Sequence, residues 1–290
     1  MSKVSVIIPS RNEQFLAPTI ADVFAKAAGE VEVVVHLDGY WPAPQLPDYP
    51  GLHIIHRSKS VGMRPGINAC AQVATGEYLM KLDAHCMLDE GFDEVLKADC
   101  ADDWVVIPRR YSLDPESWTR RDKGPIDYHY LSFPYDENGK HIGLHGRAWR
   151  QRRKERASVE IDDEMTSQGS CWFMRRAHWE RLGGLRVYGY GDFIQEFQEI
   201  GGKTWLGGGA VKVNKRTWYA HLHKGSKYGR GYYVRKGSWQ RGAMYSSDLW
   251  VNNRWVERVR DFEWLVEKFY PIPTWPENWR ELMQKWSTDA

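Results

Sequence analysis

The sequence has few cysteines and no motif that would organise them. Its four cysteines are Cys70, Cys86, Cys100 and Cys171, and none of them forms a Cys-x-x-Cys pair. A zinc ribbon depends on such pairs, and a disulfide scaffold depends on a denser set of cysteines. Both classes are therefore excluded, and a reducing compartment fits best.

Long apolar runs are also missing. The segment after Met1-Ser2-Lys3 becomes apolar for only a few residues, which is too short for the core of a signal peptide or for a membrane span. No later stretch reaches the length of a span. We therefore expect a cytoplasmic protein without a membrane anchor.

Charge of one sign does not dominate, because 40 Lys and Arg residues stand against 38 Asp and Glu residues, giving a net charge of +2. The total therefore does not indicate a nucleic-acid partner, although local basic segments still matter. A chain of 290 residues fits one α/β domain with an extension. We therefore look for a single active site.

Apolar β-branched runs alternate with segments of helical spacing in the first hundred residues. Such runs indicate strands buried on both faces of a parallel sheet. The predicted strands are Val4–Pro9, Val31–Leu37, His53–His56, Tyr78–Leu82 and Asp103–Pro108, and the predicted helices are 16–28 and 65–73. This alternation predicts an α/β protein with a Rossmann-like, open and mostly parallel sheet.

The second half has weaker patterns. Residues 109–164 are polar, aromatic and irregular in pattern, which predicts little regular structure. A strand is expected at 169–174, a short helix at 177–182, and a helix at 192–200 that ends at Gly201-Gly202. Aromatic residues at helical spacing from 255 to 269 predict a C-terminal helical extension.

Three polar clusters follow predicted strands, namely Arg11-Asn12-Glu13, Asp38 and Asp83-Ala84-His85. In open parallel sheets, ligands bind beyond the carboxyl ends of the strands, so these clusters should meet in one crevice. Asp83 and His85 are two residues apart and point the same way in an extended segment, so they can share a metal ion. Mixed oxygen and nitrogen ligands suit Mn²⁺, with Mg²⁺ as the alternative. Without a metal, Asp83 would cap a turn and His85 would lie on the surface.

Several ordered motifs resemble the donor-binding core of family 2 glycosyltransferases. They are Gly62-Met63-Arg64, then Ala74-Thr75-Gly76-Glu77-Tyr78-Leu79, then Leu82-Asp83-Ala84-His85-Cys86. The spacing is especially similar to that of polypeptide N-acetylgalactosaminyltransferases. The resemblance implies a glycosyltransferase A type fold and transfer of a hexose from a UDP-sugar to a hydroxyl group.

The resemblance also implies roles for individual residues. Pro9-Ser10-Arg11-Asn12-Glu13 resembles the motif that closes around uracil, and Asp38 the acidic turn that holds the base or ribose. His221 resembles the late histidine that completes the metal site with Asp83 and His85, and His223 is its alternative. The implied nucleotide-sugar-binding residues are Pro9, Ser10, Arg11, Glu13, Asp38, Arg64, Asp83 and Lys224.

Two positions depart from the family pattern. Ile67 stands where the family has an arginine, so Arg64 is the substitute expected to contact the diphosphate. The paired acid motif is reduced to Gly191-Asp192. Asp192 is the candidate general base, although an aspartate there also suits a helix N-cap. Asp162, Asp163 and Glu164 are the other candidates, and both inversion and retention remain open.

Basic residues alternate with aromatic residues in two segments, 147–156 and 224–242. Positive charge neutralises phosphates and rings stack on bases, so the pair favours a nucleic-acid acceptor, although segment 147–156 also suits a solvated surface loop. Some bacteriophage enzymes of the resembled family modify DNA bases. We therefore expect an acceptor such as a hydroxymethylated base in DNA, acted on in the host cytoplasm if the gene belongs to a phage, with a glycan or a protein as the rivals.

Two other functional classes are weaker. A nucleotidyltransferase normally has a glycine-rich loop after its first strand, and 9–13 has none; a non-enzymatic nucleic-acid binder leaves Asp83, His85 and His221 without a purpose. The predicted domains are a catalytic unit, 1–245, and a helical extension, 246–290. The catalytic unit comprises a nucleotide-sugar half, 1–108, and an acceptor half, 109–245, with a basic lid at 224–242. The sugar and the oligomeric state are not determined by these patterns.

Overall fold

The computed structural model describes residues 2–191, 194–233 and 237–287. Its strands and helices alternate in the first hundred residues and become irregular after that. The strands are β1 (Val4–Ser10), β2 (Val31–Asp38), β3 (Leu52–Arg57), β4 (Tyr78–Leu82), β5 (Cys86–Leu88), β6 (Trp104–Asp114), β7 (Thr119–Arg120), β8 (His129–Leu131), β9 (Gly146–Ala148), β10 (Ile161–Asp163), β11 (Cys171–Arg175) and β12 (Ala210–His221). The helices are α1 (Leu16–Lys26), α2 (Met63–Val73), α3 (Phe92–Ala98), α4 (Arg150–Glu155), α5 (Arg176–Arg181), α6 (Glu196–Leu206), α7 (Gly225–Tyr228), α8 (Ser238–Val251), α9 (Phe262–Phe269) and α10 (Trp279–Ser287).

One large sheet organises these elements. Its main path runs β10-β12-β6-β11-β4-β1-β2-β3, with β5 pairing on β12 and β7 on β6. Pairs β1–β2, β1–β4, β2–β3 and β6–β12 are parallel, whereas β11 is antiparallel to both of its neighbours. The predicted Rossmann-like, mostly parallel fold is confirmed.

The strands have two buried faces because their apolar side chains alternate between two cores. Ile7, Val34 and Leu79 pack on one face with α2 and the later helices, and Val6 and Val35 pack on the other with α1 and α3. Helices on both faces explain why these strands read as continuous apolar runs. The predicted strands at 4–9, 31–37, 53–56 and 78–82 are confirmed to within one residue at each end.

Helix α6 corrects one prediction. It continues through Gly201 and Gly202 to Leu206 instead of ending at the glycine pair. A side chain at Gly202 would bring its Cβ within 3.0 Å of the Trp250 ring, and one at Gly201 would approach Phe197 at 3.1 Å. Phe197 belongs to α6 itself, so it is Gly202 that allows close packing between helices, against Trp250 of α8. Local sequence signals cannot distinguish this use of glycine from a helix end.

The expectation of irregular structure at 109–164 is wrong in part. Strand β6 continues to Asp114, and β7 to β10 and α4 follow. The prediction also missed β12, whose long path beside β6 is interrupted by a bulge between Asn214 and Trp218. Apart from β7, which forms a hairpin with the end of β6, the short strands pair with segments that are not adjacent in the sequence, so they carry no local pattern.

The C-terminal segment is helical, but α9 begins at Phe262 rather than at Trp255. Helix α8 runs through the expected boundary at 245/246, so the boundary does not fall between two elements. The division into a catalytic unit and an extension stays a prediction. Trp255, Phe262 and Trp275 belong to the same core as Trp205 of α6, which joins the extension to the sheet. Within the described ranges, no helix is long and apolar enough to cross a bilayer.

Candidate active site

A cleft of about 940 Å³ lies where β1, β2 and β4 end. Residues at the ends of these strands or directly after them, including Arg11, Asp38 and Asp83, line it. The rest of the lining, here called the acceptor wall, comes from β8, β9 and the segment before β11, through His129, Arg147 and residues 167–170. The three polar clusters therefore meet at one cleft, as expected for a sheet of this topology.

Asp83, His85 and His221 form a cluster on the cleft wall, with one ligand atom from each within 4.8 Å of the others. His221 Nε2 lies 3.3 Å from Asp83 Oδ2 and 3.1 Å from His85 Nε2, and His85 Nε2 lies 3.8 Å from Asp83 Oδ2. Strand pairing explains the approach, because β5 pairs with the end of β12 and sets His221 opposite Cys86. The predicted metal ligands are thus neighbours in space.

Charges around the cluster keep Asp83 ionised and His221 neutral. Burial alone would raise the pKa of Asp83, but the Lys81 ammonium and a hydrogen bond with His221 hold it well below its usual range. Burial lowers the pKa of His221 to about 4, which leaves its ring uncharged at neutral pH. An anionic oxygen beside an uncharged imidazole is the protonation state in which these groups bind cations.

Lys81 is a buried cation behind the cluster that the sequence analysis did not single out. Its ammonium donates to one oxygen of Asp83 and to the Gly169 carbonyl, and it lies 3.4 Å from Glu196 Oε2. Burial opposes the charge, yet Asp83 and Glu196 raise the Lys81 pKa above its usual range. Asp83 therefore gives one oxygen to Lys81 and turns the other towards the histidines.

Glu13 holds His85 from the other side. Its Oε2 lies 3.1 Å from His85 Nδ1 and also accepts a hydrogen bond from Lys224. Burial would raise the Glu13 pKa, but these two partners lower it. A carboxylate on Nδ1 fixes the ring so that Nε2 faces the cluster. Glu13 and Lys224, both predicted to bind the nucleotide, thus contact each other at the cleft wall.

The loop after β2 is organised by Asp38. Its carboxylate accepts hydrogen bonds from Ser60 Oγ at 2.6 Å and from the backbone N–H groups of Val61 and Gly62 at 2.6 and 3.1 Å. Ser10 is hydrogen-bonded to Tyr40 from the adjoining loop. Asp38 and Ser10, together with Pro9, line the cleft, which makes this end the expected nucleotide end.

The basic segment after β12 lies over the loop that follows β1. Arg11 stacks on the Tyr232 ring at 4.5 Å, and Asn12 Nδ2 donates to the Gly231 carbonyl at 2.7 Å. Helix α7 and the start of α8 occupy parts of the predicted lid loop 224–242, so it is not wholly a loop. Tyr232 of this segment therefore covers Arg11, and the role of the segment as a lid stays a prediction.

Arg64 corrects another prediction. Its guanidinium is buried, pairs with Glu199, donates to the Ile194 carbonyl at 2.7 Å and stacks on Tyr190 at 3.7 Å. It is not among the residues that line the cleft. Arg64 therefore does not face the diphosphate position, because its partners on α6 and before it hold it inside the core.

The predicted catalytic base, Asp192, lies outside the described residues, so its role stays a prediction. Two of its alternatives are turned away from the cleft. Asp162 is bound by Arg156 and Tyr128, and Asp163 pairs with Lys212 and Lys268. Asp162 and Asp163 are therefore wrong as candidates for the base. Glu164, the third alternative, lies beside the cleft residue His129.

Several cleft residues were missed because no sequence pattern marks them. They are His36, Lys81, His129, Gln168, Gln195 and Glu196. Glu196 is the first residue of α6, a position that the sequence could indicate. Its 2.6 Å hydrogen bond from Trp172 Nε1 is visible only in the structure. Lone histidines and glutamines usually belong to surfaces or satisfied cores, so only their location in the fold marks the others.

The family model described as glycosyl transferase family 2 matches residues 5–183, more than half of the chain. The chain belongs to glycosyl transferase family 2. The match spans β1 to α5, and so includes Asp38, Asp83 and His85 but not His221. Comparison with curated protein sequences finds no match.

Solved glycosyltransferase structures share the fold. GalNAc-T7, solved with UDP, GalNAc and Mn²⁺, superposes with a TM-score of 0.66 at 16% identity, over 94% of this chain and 58% of that one. Residues 1–349 of TarS from S. aureus, solved with UDP-GlcNAc, give a TM-score of 0.50 at 14% identity, over 80% of this chain and 62% of that one. The chain thus spans less than two thirds of either protein, and the likeness establishes the glycosyltransferase A fold.

Proposed function

We propose that this protein transfers a hexose from a UDP-sugar to a hydroxyl acceptor, with Mn²⁺ or Mg²⁺ bound by Asp83, His85 and His221. The observation that carries the proposal is the cluster of these three side chains on the wall of the cleft of a family 2 glycosyltransferase. GalNAc-T7 binds UDP and Mn²⁺, and TarS binds UDP-GlcNAc, which supports the same donor class here.

The donor set fits a divalent ion of this kind. Ligand atoms bound about 2.1 Å from one ion lie roughly 3 to 4 Å apart when they are neighbours. The three pairs of ligand atoms are 3.1, 3.3 and 3.8 Å apart. One carboxylate with two imidazoles suits Mn²⁺ better than Mg²⁺, which prefers oxygen ligands. Glu13 and Lys81 would hold His85 and Asp83 in the binding orientation.

The bound cation would neutralise charge on the departing diphosphate. The protein side chains would bind the nucleotide. The residues around Asp38 and Ser10 form the proposed nucleotide end of the cleft, which Arg11 and Tyr232 cover. Asp192 stays the predicted base from the sequence.

The acceptor we propose is a hydroxymethylated base in DNA. Arg147 is exposed on the cleft wall and forms no ion pair with any described residue, and the exposed rings of Tyr233 (78%) and Trp239 (46%) stand at the same cleft. A guanidinium for phosphate and rings for a splayed base are what such an acceptor requires. Glycan and protein acceptors remain the alternatives that the assay must separate.

Thermal unfolding with Mn²⁺, UDP, or both tests the donor half of the proposal. Both together should raise the unfolding temperature more than either alone, since a ligand at 100 times its Kd adds about 2.7 kcal/mol of stability. Asp83→Asn should remove the joint effect, and Glu257→Gln, an exposed carboxylate, is the control. A wild-type protein indifferent to Mn²⁺ with UDP would contradict the proposal.

Release of UDP from a panel of UDP-sugars identifies the donor. The chosen donor is then offered to duplex DNA with and without hydroxymethylated pyrimidines, to a glycan and to a peptide. Sugar incorporation confined to the hydroxymethylated duplex supports the DNA acceptor. Transfer to the glycan or peptide, with none to DNA, refutes that acceptor and leaves the donor half standing.

A further inference from the structure

His129 and Glu164 form a buried pair in the acceptor half of the cleft. His129 Nδ1 lies 3.0 Å from Glu164 Oε1, and both side chains are at least nine-tenths buried. His129 lines the cleft, whereas Glu164 lies behind it. The carboxyl group of Glu164 therefore binds the ring at Nδ1, and Nε2 is the nitrogen left for a molecule in the cleft.

The second nitrogen of the ring is free to react. Among residues 2–191, 194–233 and 237–287, none makes a hydrogen bond to His129 Nε2, and this atom is not sealed from the cleft. When Nδ1–H donates to Glu164, the lone pair of the imidazole is at Nε2. A histidine whose Nδ1–H is held by a carboxyl group presents Nε2 as the nitrogen that can accept a proton from a hydroxyl group.

The backbone connects this pair to the metal-binding cluster. Thr166, two residues after Glu164, forms a β-bridge with His129, and Ser170 accepts a 2.8 Å hydrogen bond from the Asp83 backbone N–H. Ser170 is six positions after Glu164, a span of at most about 22 Å when fully extended. Ser167, Gln168 and Gly169 between them line the cleft. One short segment thus carries Glu164, the bridge to His129 and the carbonyl that binds the Asp83 backbone.

We propose that His129, oriented by Glu164, rather than Asp192, the candidate from the sequence, is the general base that takes the proton of the acceptor hydroxyl. The inference rests on the proposed function. As the acceptor oxygen forms its bond to the anomeric carbon, its proton passes to His129 Nε2. The bond from that carbon to the diphosphate breaks at the same time, and its electron pair leaves with UDP. Backside displacement of this kind inverts the anomeric centre.

The electrostatics of the pair agree with this role. Burial, and then the charge of Arg110, lowers the pKa of His129 to about 3, so the ring is uncharged and available at neutral pH. Burial raises the pKa of Glu164 well above its usual range, so Glu164 is a neutral acid that accepts the Nδ1–H hydrogen bond through Oε1.

Substitution of His129 separates catalysis from donor binding. His129→Ala and His129→Gln should lower kcat about 100- to 1,000-fold for both UDP-sugar hydrolysis, in which water replaces the acceptor, and transfer to the hydroxymethylated duplex. The KM for the donor and the joint stabilisation by Mn²⁺ and UDP should change less than threefold. Added imidazole should restore part of the activity of His129→Ala, and Glu164→Gln should lose roughly tenfold.

A buried histidine elsewhere provides the matched control. His178 is buried, hydrogen-bonded to Thr204 at 3.2 Å and absent from the cleft, and burial lowers its pKa to about 4. His178→Ala should lose stability without the specific loss of kcat and without rescue by imidazole. If His129→Ala does not fold, His129→Gln and Glu164→Gln provide the same comparison.

Two results would overturn the inference while leaving the proposed function intact. One is a His129 variant that keeps kcat within threefold of wild type. The other is a product, analysed by NMR, whose anomeric configuration is the same as that of the donor. If the wild-type protein neither hydrolyses a UDP-sugar nor is stabilised by Mn²⁺ with UDP, the proposed function itself fails.

Discussion

Asp83 and His85 lie two residues apart in the chain, whereas His129 and Glu164 are 35 residues apart, yet both pairs line or support the same cleft. The first pair follows directly from the end of β4, and the second meets through a β-bridge between segments without local pattern. The wall that carries the cluster of Asp83, His85 and His221 can therefore be predicted from the sequence. The acceptor wall is assembled by tertiary packing.

This difference has a physical origin. Parallel strands buried on both faces force apolar runs, and the residue after each run is committed to the carboxyl edge of the sheet. The acceptor wall consists of strands of two or three residues and of loops, whose conformations depend on distant partners. The predictions below test whether the chemistry follows the same division.

The largest effect is expected at Asp83. Asp83→Asn removes the anionic ligand and should lower kcat/KM about 1,000-fold, or about 4 kcal/mol, because the cation that neutralises the departing diphosphate is no longer held. Steady-state assay of UDP release measures it, with Glu257→Gln as the control. Activity within tenfold of wild type would break the division between the two walls.

A smaller but still large effect is expected at Lys81. Lys81→Met leaves Asp83 and Glu196 buried without their shared cation and should destabilise the metal-free protein by about 3 kcal/mol. Mn²⁺ should restore part of this loss, since it brings positive charge to the same carboxylate. Denaturant unfolding with and without Mn²⁺ measures both quantities.

Lys203→Met is the control for removal of a buried ammonium. Lys203 also contacts a carboxylate, Glu199 at 2.8 Å, and a glycine carbonyl, that of Gly184 at 2.7 Å, but it lies outside the cleft. Mn²⁺ should stabilise this variant no more than it stabilises the wild type. An equal response of both lysine variants would show that Lys81 is unrelated to the metal-binding cluster.

The choice between His221 and His223 sharpens the comparison within the first wall. His221 is buried and belongs to the cluster, whereas His223 is exposed and does not. His221→Ala should weaken Mn²⁺ binding 10- to 100-fold, or about 1.4 to 2.7 kcal/mol, and His223→Ala less than threefold. Titration of Mn²⁺ in the presence of UDP measures both, and the reverse order would exchange the two assignments.

The smallest effect is expected far from both walls, at Glu32. Its carboxylate accepts hydrogen bonds from Ser5 Oγ at 2.6 Å and Thr75 Oγ1 at 2.8 Å, and these outweigh burial to hold its pKa at about 2. Glu32→Gln should cost about 1.5 kcal/mol at pH 7 with no change in kcat. Because the folded-state pKa is depressed, this stability is present above about pH 4.5 and is lost as the pH falls towards 2.

Denaturant unfolding of wild type and Glu32→Gln between pH 7 and pH 2.5 measures this difference, which should shrink on acidification. Glu30→Gln, with a largely exposed side chain, is the control. A difference that stays constant with pH would mean that the ionised form of Glu32 is not the one stabilised.

Sequence patterns predicted the first wall well. They gave β1, β2, β3 and β4 and the proximity of Asp83, His85 and His221, although the metal itself and the role of Asp192 stay predictions. They failed for Arg64, because the choice between facing the cleft and pairing with Glu199 of α6 is made by a contact 135 residues away. They also failed at Gly201 and Gly202, which lie inside α6, where Gly202 packs against Trp250 and does not mark a helix end.

The sequence alone determined the parallel sheet, its family and the edge at which the candidate site lies, because these follow from local runs and short-range motifs. Only the tertiary structure decided which side chains stand behind and opposite that edge. Lys81, Glu196, His129 and Glu164 meet through strand order and a β-bridge, and such long-range contacts leave no periodic signal in the chain.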